Sequence, residues 1–375
     1  MEHIAIEECC DILDSRRIPI TASDRMSGPY PYYGANGVQD YVADYIFDDE
    51  LVLLAEDGGN FGSKTRPIAY RVSGKCWVNN HAHVLKPMAS MDVDYLCYSL
   101  MFYDTGELVN GATRQKLTQT AMRKILIPQR SLQEQKRIVC ELSKVQSIIS
   151  ARQQQLQKLD ELVKARFVEM FGDPVRNSIG LPTEPMTTVC AIIDGDRGKN
   201  YPKQDEFSDT GYCLFLNAKN VTATGFSFES RMFITKEKDN ALHNGKLERG
   251  DVVLTTRGTL GNLAFYDDSV PFENVRINSG MVILRMNKSV MTEVFFIEQF
   301  KLQLQSIKGK IASGSAQPQL PISTMNKIRI LLAPMALQEQ FAAFVEQTDK
   351  SKVAVQKALD EAQLLFDSLM QKYFE

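Results

Sequence analysis

The sequence predicts an α+β chain in which one unit, a strand-rich module followed by a long helix, is written twice. Three observations predict it. The run Gly111-Ala112-Thr113-Arg114-Gln115-Lys116-Leu117, followed by Met122, Lys124 and Ile125, recurs about 200 residues later as Gly314-Ser315-Ala316-Gln317-Pro318-Gln319-Leu320, Met325, Lys327 and Ile328. Leu132-Gln133-Glu134-Gln135 likewise recurs as Leu337-Gln338-Glu339-Gln340. Each of those runs opens a stretch of helical periodicity, whereas the residues before it form short apolar runs broken by turn chemistry. The resulting pseudo-twofold repeat places a first module at 1–130, a helix at 131–174, a second module at 175–335 and a second helix at 336–375.

Composition narrows the classes. A chain of 375 residues with 44% hydrophobic content has room for two cores. No apolar run approaches the roughly 18 residues of a membrane span, and the acidic start Met1-Glu2-His3-Ile4-Ala5-Ile6-Glu7-Glu8 lacks the basic opening of a secretory signal. A cytoplasmic protein with no membrane partner is expected. The cysteines Cys9, Cys10, Cys76, Cys97, Cys140, Cys190 and Cys213 form no Cys-x-x-Cys pair, so they read as reduced structural thiols. The net charge of −3 gives no general basic footprint, and any nucleic-acid contact must come from local clusters.

In the first module, Tyr30-Pro31-Tyr32-Tyr33-Gly34-Ala35-Asn36-Gly37 supplies turn residues, and Leu51-Val52-Leu53-Leu54-Ala55 reads as a buried strand entering the Gly58-Gly59 loop. Ile68 to Val72 and Cys76 to Val78 flank Ser73-Gly74-Lys75, a hairpin signal, and a helix is predicted near Asp94 to Tyr103. From 131 the apolar steps Ile138, Leu142, Val145, Ile149, Leu156, Leu159, Val163 and Met170 form a coiled-coil seam that Arg152 interrupts, with Gln153, Gln154 and Gln155 beside it. Ser131 and Glu134 form a capping box at its start, and Gly172-Asp173-Pro174 stops it. The second module shows strands at Cys213-Leu214-Phe215-Leu216 and Asp251-Val252-Val253-Leu254-Thr255. The second seam runs through Leu337, Phe341, Phe344, Thr348, Ser351, Val355, Ala362, Leu365 and Leu369, with a weaker cap because Ala336 stands where the first copy has Ser131. Helices of about forty residues span near 60 Å at ~1.5 Å per residue, and two apolar stripes of matching length are satisfied by antiparallel pairing. Such pairing would hold the modules at opposite ends of a rod.

A strand-rich module, a Leu-Gln-Glu-Gln helix start, a long helix ending Ala165-Arg166-Phe167-Val168-Glu169-Met170-Phe171-Gly172-Asp173-Pro174, and repetition of the whole resemble the specificity subunit of type I restriction-modification enzymes. The first module is especially similar to that family's target recognition domain through Tyr32-Tyr33-Gly34-Ala35-Asn36-Gly37, Glu56-Asp57-Gly58, Ser73-Gly74-Lys75 and Val78-Asn79-Asn80-His81-Ala82-His83. The resemblance implies a non-catalytic chain that binds double-stranded DNA, each recognition domain reading half of a bipartite site, with the helices as a ruler. It also implies partners: two methyltransferase subunits, and restriction/translocase subunits for cleavage. S-adenosylmethionine, Mg and ATP then belong to those partners, and no cofactor to this chain. The sequence agrees by omission, since it contains neither an Asn/Asp-Pro-Pro-aromatic segment nor a Walker loop.

Reading bases in the major groove needs Arg or Lys for guanine and Asn or Gln for adenine, on loops where glycine permits close approach. In the first module the candidates are Tyr33, Asn36, Asp57, Asn60, Lys64, Arg66, Asn79, Asn80, His81, Arg114, Gln115 and Lys116. In the second they are Arg197, Lys199, Asn200, Tyr201, Asn217, Lys219, Asn220, Arg257, Asn278, Gln317 and Gln319. The bland reading of each is a turn residue or a solvated surface group. The Gly111 and Gly314 segments match between modules that read different sequences, so Arg114 and Lys116, which lie on the first of them, are assigned to the DNA backbone. Asp57 and Arg257 align through Val52/Val252 and Gly58/Gly258 yet differ in charge, which makes that position a candidate for specificity. His81-Ala82-His83 could pair on one strand face as metal ligands, but no third ligand stands at matching spacing and no metal is assigned. The competing reading is a coiled-coil adaptor whose two globules bind proteins.

Overall fold

The computed structural model describes residues 2–110, 115–312 and 319–375, with backbone alone at 310–312. The chain forms two compact units, one of Met1–Gln154 with Gln356–Glu375 and one of Gln155–Val355. Each long helix therefore contributes one part to each unit.

The first unit is organised by a six-stranded sheet in the order Cys10–Ile12, Ala82–Pro87, Phe47–Ala55, Ala69–Val78, Ser27–Gly34, Gly37–Val42. Its central strand, Phe47–Ala55, is apolar without alternation from Leu51 onward because both faces are covered. Val52 and Leu54 pack toward the helices, while Leu51 and Leu53 belong to a second cluster with Val72 and Val84 on the other face. The hairpin expected at Ser73-Gly74-Lys75 does not form. Ala69–Val78 is one continuous strand whose ladder with Phe47–Ala55 runs through Gly74 opposite Asp49, and Gly74 takes φ 75° without breaking it. A partner strand of nine residues keeps the ladder continuous across the glycine. The true turn is Ala35-Asn36, between Ser27–Gly34 and Gly37–Val42. The helix Val93–Met101 is capped by the Asp92 carboxylate, which accepts from the Asp94 and Tyr95 N–H groups.

The second unit keeps the core of this plan. Cys190–Asp194, Met281–Met286, Asp251–Thr255 and Leu263–Tyr266 form a four-stranded sheet, and Phe233–Ile234, Cys213–Leu216 and Val275–Ile277 a separate three-stranded one. The pairing Val52↔Leu85 of the first unit has its counterpart in Val252↔Leu284. A ribbon closes each module, His3–Ala5 with Leu126–Pro128 and Thr183–Pro185 with Arg329–Leu331.

Both long helices are 40 residues, Leu132–Phe171 and Met335–Phe374. In the first unit Ile138, Leu142, Val145 and Ile149 share a core cluster with Ala362, Phe366 and Tyr373, and Tyr373 Oη donates to Glu141, so the segments run antiparallel. In the second unit Val163, Phe167 and Phe171 cluster with Val345 and Phe341, and Lys352 Nζ lies 2.8 Å from Asp160. That pairing is antiparallel as well. The buried line of the second helix differs from the predicted seam: Phe341, Thr348, Val355 and Ala362 are buried, but Val345, Phe366 and Tyr373 replace Leu337, Ser351 and Leu365, which are exposed. Two of these three positions are exposed leucines beside a buried residue, Leu337 beside Gln338 and Leu365 beside Phe366.

The register of the repeat is also sharpened. Gln135 is buried, accepting from Asp92 N–H at 2.7 Å and donating to Ser90 O and Arg130 O. Gln338 does the same with Thr292 N–H, Val290 O and Ala333 O. These two glutamines are separated by the same interval as Gly111 and Gly314, whereas the Leu-Gln-Glu-Gln runs are two residues further apart. The letter match is therefore out of step with the structure, and the counterpart of Ser131 is Pro334 and not Ala336. Among the described residues no helix is long and apolar enough to cross a membrane.

Candidate nucleic-acid interface

The end of each central strand is built in the same way. Glu56 N–H donates to His81 O at 2.9 Å, and Leu117 N–H donates to Glu56 O at 2.7 Å. In the second unit Thr256 N–H donates to Gly280 O at 2.8 Å, and Leu320 N–H to Thr256 O at 3.1 Å. Gly58 and Gly258 follow with φ of 62° and 70°, a left-handed turn that glycine adopts without cost. The repeated Gly111 and Gly314 segments thus end as a clamp, with a buried leucine holding the base of the loop that carries Asp57 or Arg257.

On this frame the first module assembles a charged, hydrogen-bonded edge. Asp57 Oδ1 lies 2.6 Å from His81 Nδ1, and Asn36 Nδ2 donates to Gly58 O at 3.0 Å. Below it, Glu56 meets Arg17 Nη1 at 2.6 Å and Lys116 Nζ at 3.1 Å. His83, fully buried, lies 2.6 Å from Asp14 through Nδ1 and 2.9 Å from Leu117 O through Nε2. Burial alone would raise the Asp14 carboxyl, but the hydrogen bond and charge of His83, the Val84 N–H and the Arg17 charge outweigh it and hold it below the usual carboxylate range. Asp14, Glu56 and His83 stand close enough to share a cation. The Arg17 guanidinium already pairs with both carboxylates and Lys116 with Glu56, so the group is an ion-pair network. His81 and His83 reach different carboxylates and do not act as a pair.

The second module gathers loops 194–200, 241–246, 256–262 and 278–280. Arg197 Nη2 donates to Asp194 at 3.1 Å and to Ser279 O at 3.2 Å, and Asn200 Nδ2 donates to Ala241 O at 3.0 Å. Asp196 is buried and accepts from the N–H groups of Gly198, His243 and Asn244. Burial would raise its carboxyl, yet those three donors hold it low and pin two loops together. Arg257 is exposed and makes no hydrogen bond or ion pair among the described residues, as do the side chains of Lys199 and Lys219.

The remaining candidates divide by environment. Asn60, on the Gly58 loop, is half-buried, while Lys64, Arg66, Asn80, Lys116 and Gln319 are exposed on the loops described. Tyr33 is half-buried beside Tyr70, its ring 5.8 Å away, and burial raises its hydroxyl pKa. Asn79 and Asn278 are turn residues of the shared frame: Asn79 Oδ1 accepts from His81 N–H at 2.8 Å, and Asn278 Oδ1 from Gly280 N–H at 2.9 Å. Asn220 is wholly buried and closes its own loop through Asn217 N–H, Ser227 O and Ser230 O. Lys219 sits at the tip of that loop, Asn217 turns its Oδ1 to the Lys219 N–H, and Tyr201 packs on Phe215. Arg114 and Gln317 lie outside the described residues. Sequence reasoning passed over Asp14, Arg17, Glu56 and His243; the signal available for the first two was the recurrence of Asp14-x-x-Arg17 as Asp194-x-x-Arg197.

The chain matches the family model for the type I restriction modification DNA specificity domain over residues 1–161 and 187–362. It is 24% identical over 347 residues to a putative type I restriction enzyme specificity subunit of Haemophilus influenzae, covering 91% of this chain and 86% of that one. A second relative, the MjaVIII specificity subunit of Methanocaldococcus jannaschii, is 23% identical with 95% and 89% covered. Among solved structures, the fold is similar to that of the type I restriction-modification S subunit from M. genitalium, with a TM-score of 0.61 at 15% identity and coverage of 100% and 96%. A chain from a study of type I complex assembly and conformational transition gives 0.53 at 16% identity, with 99% and 97% covered.

Proposed function

This chain belongs to the DNA specificity family of type I restriction-modification systems, and on that premise we propose that its two strand-rich modules each read one half of a bipartite, asymmetric DNA site. It is the non-catalytic subunit that gives such a system its DNA sequence specificity. Family membership sets aside the protein-binding adaptor. The observation that carries the two-module reading is the loop position shared by Asp57 and Arg257, where one backbone frame presents opposite charges. A carboxylate accepts from the cytosine amino group, whereas arginine donates to guanine O6 and N7. Unlike side chains on like frames are what an asymmetric site requires.

The remaining readers are drawn from the loop residues Asn36, Asn60, Lys64, Arg66, Asn80, His81, Lys199, Asn200 and Lys219, with Lys116 and Gln319 beside the loop bases and Arg114 and Gln317 in the same repeated segments. The long helices act as the spacer and as the docking surface for two methyltransferase subunits, and restriction/translocase subunits join for cleavage. S-adenosylmethionine, Mg and ATP serve those partners, and the assembly works in the cytoplasm. Methylation mapping of cells with and without this gene tests the reading: one interrupted motif should lose its methylation when the gene is absent. Asp57→Arg should change one half of that motif and leave the other half and the spacer intact. No motif lost on deletion would overturn the function, and an unaltered motif with Asp57→Arg would remove Asp57 as a reader.

A further inference from the structure

An arginine present in both modules is sequestered in one and available in the other. Ile12 and Ile192 occupy equivalent strand positions, since Ile12 pairs with Leu85 and Ile192 with Leu284, which in turn pair with Val52 and Val252. Two residues beyond each isoleucine the chain reads Asp14-x-x-Arg17 and Asp194-x-x-Arg197. Arg17 turns inward: its Nη1 donates to Glu56 Oε2 at 2.6 Å and to Ala82 O at 2.8 Å, and its side chain is 13% exposed. In the second unit Thr256 stands at the place of Glu56 and turns its hydroxyl to Gly280 O at 3.0 Å. Among the described residues no carboxylate stands at the place of Glu56, and Arg197 is 48% exposed, held through Nη2 to Asp194 and Ser279 O, with Nε and Nη1 unbonded.

We propose that this arginine contacts DNA in the second module alone, and that the residue before the reading loop, Glu56 or Thr256, decides its availability. The proposal deepens the two-module DNA reading and rests on it. For Arg17 to reach DNA, a charge-assisted pair to a half-buried carboxylate would have to break, and that pair is about twice as strong as a neutral hydrogen bond. Arg197 can keep its Nη2 bonds to Asp194 and Ser279 O while it contacts DNA, because Nε and Nη1 make no bond among the described residues. The acceptor it takes is an oxygen or nitrogen of DNA, either the O6/N7 edge of a guanine or a phosphate oxygen. Sequestration in the first module also couples Lys116 to the same Glu56 carboxylate, at 3.1 Å.

The test uses the full chain and a duplex carrying both half-sites of the motif found by methylation mapping. Arg197→Ala should weaken binding by roughly tenfold or more and reduce methylation at that motif, the range expected for loss of a direct arginine contact. Thr256→Glu should reproduce the loss by caging Arg197, and Arg197→Ala on an exposed side chain tests the same point should the buried carboxylate disturb folding. Arg197→Lys separates the two acceptors: lost discrimination at one base pair of the second half-site identifies guanine, since lysine lacks the bidentate fork, whereas kept discrimination identifies phosphate. Wild-type affinity and an unchanged motif with Arg197→Ala would overturn the proposal. Failure of the wild-type chain to retain the duplex would overturn the DNA reading, and this assignment with it.

Discussion

The loop edge at the end of the first module's central strand is organised around carboxylates, and that of the second around arginines, while the backbone beneath them is held by the same hydrogen bonds. Asp57 is paired with His81, and Glu56 gathers Arg17 and Lys116; across the equivalent loops Arg257 stands exposed and Thr256 is neutral. Around these matched strand ends the side chains on the loops differ, and so does the outer sheet, six-stranded in the first unit and divided into four and three strands in the second. What is shared, the left-handed glycine, the clamping leucine and the asparagine turns at Asn79 and Asn278, makes no distinction between DNA sequences. The proposed reading therefore places the difference in specificity on a few charges carried by a matched strand-end frame.

The comparison breaks first if the shared frame is not equally supported by its helices. In the second unit Phe167, Phe171, Phe295 and Phe341 form an aromatic cluster, with Phe171 fully buried and 4.7 Å from the ring of Phe295. Its counterpart in the first unit is the looser Tyr95 and Phe374 pair at 5.3 Å, where Phe374 is half-buried. Phe171→Ala should cost about 3–5 kcal/mol and Phe374→Ala clearly less, because the cavity and the transfer loss both scale with burial. Thermal melts of the two variants measure the difference, and equal losses would mean that the junctions are interchangeable.

Acid sharpens the contrast next. The Asp14 carboxylate is held below its ordinary range, so its ionised form stabilises the folded first unit above that range, and the contribution is lost as pH falls through the depressed value. Asp14→Asn should cost about 3 kcal/mol near neutrality, because a buried ionic network loses one partner. The gap from wild type should close below about pH 4. The second module's Asp194 is one-third exposed on an i,i+3 pair, so Asp194→Asn should cost less than ~1 kcal/mol. Urea titrations across pH report both, and a gap independent of pH would show that Asp14 acts through packing alone.

The buried glutamines come third. Gln135→Leu and Gln338→Leu each leave one backbone N–H and two carbonyls without that side chain, and each should cost about 2 kcal/mol. Gln340→Ala, on an exposed residue that the letter match would equate with Gln135, should cost almost nothing. A large loss at Gln340 would restore the Leu-Gln-Glu-Gln register.

How legible this was from the sequence follows from which interactions are local. The duplicated plan, both long helices and the Asp57/Arg257 position could be read because each depends on periodicity or on a strand-glycine run within a few residues. The Ser73-Gly74-Lys75 hairpin misled because a long partner strand overrode a local turn signal. Asn79 and Asn220 looked like the exposed asparagines around them, since only the folded loop decides whether an amide closes a turn or faces outward. The fate of Arg17 and Arg197 was hidden for a stronger reason. It depends on Glu56 or Thr256, residues distant in the chain, and the two Asp-x-x-Arg elements stand at a shorter separation than the rest of the repeat.

The smallest effect lies at the helix starts and tests the same register from the other side. Ser131 Oγ accepts from Glu134 N–H at 3.3 Å, and Ser131 N–H donates to Glu134 Oε2 at 3.2 Å, a reciprocal cap. The second helix begins at Met335, with Gln338 N–H donating to Pro334 O at 3.1 Å, so proline, which has no side-chain acceptor, occupies the equivalent place. Ser131→Ala should therefore cost about 1 kcal/mol. Ala336→Ser, which repairs the cap only if the letters and not the structure set the register, should change stability by less than a few tenths of a kcal/mol, since a serine inside the first turn has little orphan N–H left to satisfy. A gain of about 1 kcal/mol from Ala336→Ser in the same melts would place the helix start two residues later and undo the equivalence of Gln135 and Gln338 on which the shared frame rests.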